Sequence, residues 1–175
     1  MKNPITFIFM FFLLGGGSLH AAEEAAGLYT SKSLSVELAS KAAWAAIKDC
    51  RKQGYSVAVA VVDRGGNMQA YLRDRFAGPH TMETAFRKAW TANSFRVDTN
   101  ELADLLKKGT IPDQVQHNPG ALLVGGGVQI KAGGSLVGAI GVSGAPPGKS
   151  ERDSIDGACG KAGIESIREE LEFAE

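Results

Sequence analysis

Apolar and polar positions recur with two different periods along this chain, and the switches between them mark out its elements. From Ser35 to Gly54, Ala39, Ala42, Ala43, Ala46, Ile47 and Cys50 return every three or four residues, the spacing of one buried helical face. Gly54 supplies the stop. Tyr55–Asp63, YSVAVAVVD, is a Val-rich run suited to a buried strand. After the turn RGGN, the stretch MQAYLRDR resumes alternation, so the two runs predict a β-hairpin. Helical period returns at Met82, Ala85, Phe86, Ala89 and Asn93, with Pro79 placed for a first turn. Asp98-Thr-Asn-Glu101 predicts a capping box for a short helix ending at Gly109. Thr110–Pro119 reads as a loop. Three strand candidates follow, Ala121–Val124, Val128–Lys131 and Ser135–Ser143, separated by glycine turns. Ser150-Glu-Arg-Asp153 then predicts the cap of a last helix with Ile155, Ala158, Cys159 and Ala162 facing inward.

The order is helix, two strands, two helices, three strands, helix. All strand connections but one are tight turns, which permit only antiparallel neighbours. The expected class is therefore α+β, a single antiparallel sheet of about five strands flanked by helices in α/β/α layers. No internal repeat or linker interrupts it.

The first residues follow a different logic. MKNPITFIFMFFLLGGGSLHAA has Lys2, an apolar run from Ile5 to Leu14, and small residues ending in Ala21-Ala22. This is the layout of a secretory signal peptide over residues 1–22, and the run is too short to span a bilayer. An uncleaved anchor is the alternative. Cleavage near Ala21 or Ala22 leaves residues 23–175 as a single domain, periplasmic or secreted. The whole chain has 175 residues, room for one core rather than two. Its 19 basic and 19 acidic residues cancel, so no electrostatic argument favours nucleic acid or an anionic membrane as partner.

One segment imitates a nucleotide site. GVSGAPPGKSERD ends in Gly148-Lys149-Ser150, the tail of a phosphate-binding loop. Such a loop works by pointing successive backbone N–H groups at phosphates, and Pro146 and Pro147 have none to give. The pattern also lacks its first glycine, since Ser143 stands five residues before Gly148. A bend and a helix cap explain the segment; a nucleotide does not.

With His20 in the leader, His80 and His117 are the mature histidines, and neither they nor Cys50 and Cys159 show zinc-site spacing. No G-x-S-x-G appears. In an oxidising compartment the two cysteines invite a disulfide; on apolar helix faces each also reads as a small hydrophobe. His80, in FAGPHTMETA, opens a helix, where the dipole favours a neutral imidazole. A neutral imidazole can ligate haem iron, and Phe76, Met82 and Phe86 lie near it in sequence as candidate apolar walls. An exposed loop histidine is the plainer alternative. His117 is the second candidate ligand. Arg73 and Arg75, flanking Asp74, suit a carboxylate or propionate, or else a solvated strand end. Asp63 before Gly-Gly suits the hairpin turn itself, and Met68 reads as core filler.

VAVAVVDRGGNMQAYLRDRFAG, TAFRKAWTA, GGGVQI, VGAIGVSGAP and DGACGKAGI run in order over residues 55–164. Together they resemble the GlcG/HbpS family of haem-binding, or "haem-degrading", domains. The resemblance implies an antiparallel sheet with flanking helices, assembly into homo-oligomers, and haem or a related tetrapyrrole as ligand in some members. Secreted members of that family work with a sensor kinase; other members are attached to corrinoid enzymes. It also implies a packing role for Cys159 rather than a disulfide, and a final strand and turn for the pseudo-P-loop, although PPGKSER is longer and more basic than the family's usual turn. Members share no fixed iron ligand, so His80 rests on residue chemistry alone. The resulting reading is an exported haem-binding protein for storage, sensing or scavenging, with His80 at the iron and Arg73 and Arg75 at the propionates. Two rivals stand beside it: an enzyme acting on haem or a small organic acid, and a non-catalytic structural or partner-binding oligomer.

Overall fold

Val and Ala alternate along the first strand, β1 (Ala58–Asp63), and that alternation sorts the layers of the fold. The structure, a computed structural model, describes residues 27–148 and 154–173. Val57, Val59 and Val61 enter the larger core with the alanines of α1 (Val36–Lys52) and with Cys159 of α4 (Ile155–Glu165). Ala58 and Ala60 face the other way, against Ala85 of α2 (His80–Phe95). Successive strand residues point to opposite faces, so a Val-Ala repeat builds one thick face and one thin one.

Strand β2 (Met68–Arg73) pairs with β1 across the Asp63–Asn67 turn, β4 (Ser135–Ser143) pairs with the other edge of β1, and β3 (Gly127–Ala132) pairs with β4. The order β2-β1-β4-β3 is antiparallel throughout. Helices α1 and α4 cover one face and α2 the other, which gives the expected α+β class. The thin face lets α2 settle very close. A Cβ on Gly141 of β4 would collide with the Ala85 carbonyl and stand 2.6 Å from the Ala89 nitrogen. Two further short helices are α3 (Thr99–Lys107) and α5 (Arg168–Glu172). Among the described residues, no helix is long and apolar enough to cross a membrane.

Several expectations change. The sheet has four strands rather than about five, because Ala121–Val124 joins no ladder. Side chains of α2 take its backbone groups instead: Thr91 Oγ1 accepts the Leu122 N–H at 2.8 Å, and Arg87 Nη2 donates to the Ala121 carbonyl at 2.7 Å. The Asp98 capping box does not close. Asp98 caps α3 without a side-chain bond and accepts the Gln129 N–H of edge strand β3 at 2.9 Å. The loop after α3 contains a 3-10 turn over Asp113–His117. Finally, the packing role for Cys159 gives way to a disulfide. Cys50 of α1 and Cys159 of α4 are bonded, with Cα atoms 5.5 Å apart, inside the range that a bridge needs.

The last helix starts one turn later than its signal suggested, at Ile155. Ser154 is the N-cap, and its hydroxyl accepts the Gly157 N–H at 3.1 Å. The predicted caps Ser150 and Asp153, and the leader over residues 1–22, lie outside the described residues. The hairpin turn forms as expected, with Asp63 Oδ1 accepting the Asn67 N–H at 2.8 Å. Burial pushes the Asp63 carboxyl up, but the N–H groups and side-chain amides of the turn outweigh it and hold the group below its usual range.

Candidate functional site

His80, Thr84 and Lys88 fall at i, i+4 and i+8 along one face of α2, a single stripe on the helix surface. Opposite them stand Asn100, Ala103, Asp104 and Lys107 of α3. The stretch Leu123–Gly125 and the stretch Ser143–Gly148 after β4 close the space into a cleft of about 550 Å³, within the range of small-molecule sites. A second cleft of about 500 Å³ adjoins it and shares Asn100, Asp104 and Ser154.

An ion pair sits in the cleft wall. Lys88 is only 3% exposed. Its Nζ donates to Asp156 Oδ2 at 2.9 Å and to the Val142 carbonyl at 3.0 Å. The other Asp156 oxygen, Oδ1, accepts the Ala145 N–H at 3.0 Å. Backbone geometry at Gly126 makes this possible. It has φ +125°, and a Cβ there would lie 2.6 Å from the Val142 oxygen, 2.9 Å from Asp156 Cβ and 3.0 Å from Lys88 Nζ. Only glycine tolerates both that φ and that crowding. A buried pair of this kind is weak as a source of stability, while loss of one partner strands a charge. The pseudo-P-loop thus spends its Ala145 amide on a carboxylate of the protein itself.

His80 is exposed at the mouth of the cleft. Its ring lies over Gly78, where a Cβ would approach Cε1 to 2.7 Å. The other residues singled out from sequence lie elsewhere. Met82 and Phe86 pack against Ala58, Ala60 and Ala85 on the sheet, with Tyr71 beside them. Arg73 donates to the Ala77 carbonyl, and the Arg75 guanidinium lies 6.0 Å from the centre of the Phe76 ring. Asp74 between them is held from α1: Arg51 Nε and Nη2 donate to its two oxygens at 2.7 and 2.8 Å. That bidentate pair outweighs burial and holds the Asp74 carboxyl below its usual range. His117 is exposed in its 3-10 turn. Of the seven candidates for iron ligand, apolar wall or propionate partner, His80 is the one that lines the cleft. Met68, read as core filler, is 44% exposed. Among the described residues, no group of three or more His, Cys, Asp and Glu side chains is placed to hold a metal ion.

A family model described as "Haem degrading protein HbpS-like" matches residues 34–165, which takes in every described wall of the cleft and both cysteines. The chain belongs to the HbpS-like family. The crystal structure of a double mutant of Streptomyces reticuli HbpS is similar at 38% identity with a TM-score of 0.73, covering 86% of this chain and 98% of that one. Protein GlcG of Escherichia coli strain K12 is 30% identical over 114 residues, 65% of this chain and 84% of GlcG. A crystal structure of a PduOC:haem complex is similar at 26% identity with a TM-score of 0.68, covering 77% of this chain and 95% of that one.

In this HbpS-like chain the ion pair is the feature that sequence reasoning passed over. Lys88 stands one position outside the apolar face of Met82, Ala85, Phe86 and Ala89, so helical periodicity does not single it out. The available signals were Gly125-Gly126-Gly127, three adjacent residues without side chains, and an acid in the first turn of the last helix. Neither names a lysine 37 positions before the glycines as the partner.

Proposed function

We propose that this HbpS-like protein binds haem, or a related tetrapyrrole, in the cleft that opens at His80. The observation that carries the reading is the His80 imidazole at the mouth of a cleft of about 550 Å³ whose walls include Ala103, Leu123, Val124, Ala145, Pro146 and Pro147. An aromatic nitrogen donor beside apolar walls suits a flat macrocycle with a central metal. Family membership and the similarity to a haem complex support it. Bound haem would supply an iron centre for ligation and redox chemistry. The chain's part is to offer the His80 ring, seated over Gly78, and to screen the macrocycle from water with the α3 and Ser143–Gly148 walls. The wider reading is a protein exported by its 1–22 leader that stores, senses or scavenges haem as a homo-oligomer, with a sensor protein as partner.

The family description favours a second reading, haem breakdown, which needs electrons and oxygen. Both readings meet in one experiment. Haemin is titrated into the purified protein and the Soret band followed, with and without a reductant in air. A band that saturates and persists supports binding, and one that bleaches under reductant supports degradation. His80→Ala is expected to shift the band and weaken binding. An unchanged titration in that variant removes His80 as ligand, and no binding by the wild type removes the proposal.

A further inference from the structure

We propose that Lys88 is the carboxylate-reading end of this cleft: its remaining ammonium N–H donates to a carboxylate oxygen of the ligand. The inference rests on the cleft being the ligand site. A lysine ammonium carries three donors. Protein acceptors take two of them, Asp156 Oδ2 at 2.9 Å and the Val142 carbonyl at 3.0 Å. The group is 3% exposed yet its residue forms part of the cleft wall, so its third donor has the cleft to turn to. A buried charged donor left without an acceptor is costly, and a ligand oxygen removes that cost.

The chemistry favours an anionic acceptor over a neutral one. Asp156 already accepts one bond on each oxygen, from Lys88 at 2.9 Å and from the Ala145 N–H at 3.0 Å. The same face of α2 begins at the helix N-terminus, at His80, whose dipole adds positive potential at the mouth. Charge-assisted bonds from an ammonium to a carboxylate are the strong class of hydrogen bond. Both a tetrapyrrole propionate and a small carboxylic acid present that group, and the experiment separates the two sources.

Wild-type protein is titrated with haemin and with haemin dimethyl ester, which keeps the iron and macrocycle but masks both propionates. The ester is expected to bind on the order of tenfold more weakly, the loss of one charge-assisted bond. In Lys88→Met/Asp156→Asn, which removes both charges together, haemin and ester are expected to bind alike. Equal binding of the two by the wild type overturns the propionate assignment. Discrimination that survives in a double variant with a cooperative melt overturns the assignment to Lys88. If the double variant does not fold, lysine side-chain NMR of the wild type decides: acetate at constant ionic strength moves the Lys88 resonance and chloride does not, and a resonance indifferent to both overturns the inference. Competition of succinate with haemin, or its failure to compete, assigns the group to a free acid or to a propionate. If neither porphyrin binds, the haem reading falls, and the acetate measurement alone decides whether Lys88 reads carboxylates.

Discussion

Reduction of the Cys50–Cys159 bridge removes the covalent tie between α1 and α4, and the cost follows from the length of chain it closes. The cysteines are separated by 109 positions. In the chain-entropy treatment a closed loop of that length restrains the unfolded state by about 4.8 kcal/mol at 25 °C. For a domain of this size each kcal/mol moves the melting temperature by roughly 2–4 °C, so loss of the bridge should lower it by roughly 10–19 °C. Both cysteines are 0% exposed, which means reductant must be added to denatured protein that is then refolded. Two arms separate the bridge from its atoms. Reduced wild type keeps both sulfurs in the core and loses only the restraint. Cys50→Ala/Cys159→Ala loses the sulfurs too, and should melt lower again by the cost of the small cavity they leave. Differential scanning calorimetry of oxidised, reduced and doubly substituted protein gives all three values. A reduced protein that melts within about 2 °C of the oxidised one, free thiols having been titrated, refutes the claim that the bridge restrains the unfolded chain.

Two further outcomes test other parts of the fold. The Asp74 carboxyl is held below its usual range by Arg51, and an acid whose folded pKa is depressed stabilises the fold above its unfolded value of about 3.9. That stabilisation is lost as pH falls through the folded value, so urea midpoints of the wild type should drop below about pH 4 and those of Asp74→Asn should drop less; parallel curves contradict the pair's role. Gly141→Ala places a Cβ against the Ala85 carbonyl and 2.6 Å from the Ala89 nitrogen, where backbone rather than a flexible side chain must yield. The expected loss is about 3 kcal/mol or more, read as a lower urea midpoint with unchanged slope, and an unchanged midpoint shows that α2 does not press on β4 as described.

Much of the architecture was legible because it rests on local periodicity. The helical face of Ala39, Ala42, Ala43, Ala46, Ile47 and Cys50 is the buried face of α1, and the Val-Ala alternation of β1 survives as two faces with different partners. The misreadings share a cause. Ala121–Val124 has the composition of a strand, but Thr91 and Arg87 on α2 take the backbone groups that a ladder would have used. Asp98 has the spacing of a capping box, but a β3 amide claims its carboxylate. In each case a tertiary partner distant in sequence outcompeted a local pattern. Met82 and Phe86 show the same limit for the site, since proximity to His80 along the chain says nothing about which side of α2 meets the sheet. Helix geometry alone sets His80, Thr84 and Lys88 on one stripe, and that periodicity argument was available for the cleft wall.

The four C-terminal segments that carry the family resemblance converge on one point, and it is not His80. TAFRKAWTA contributes Lys88; GGGVQI contributes Gly126, whose missing side chain leaves room for the ammonium; VGAIGVSGAP contributes the Val142 carbonyl and the Ala145 amide; DGACGKAGI contributes Asp156 and, one turn on, the Cys159 that ties α4 to α1. A buried ion pair whose surroundings are drawn from four separate segments costs desolvation that apolar packing would avoid, so stability alone gives no reason to assemble it. The proposed recognition role does, because both members of the pair line the cleft. On that argument the part of the site that the fold itself builds is the Lys88–Asp156 pair in the cleft wall, whereas the proposed ligand His80 is a single exposed side chain in the same lining.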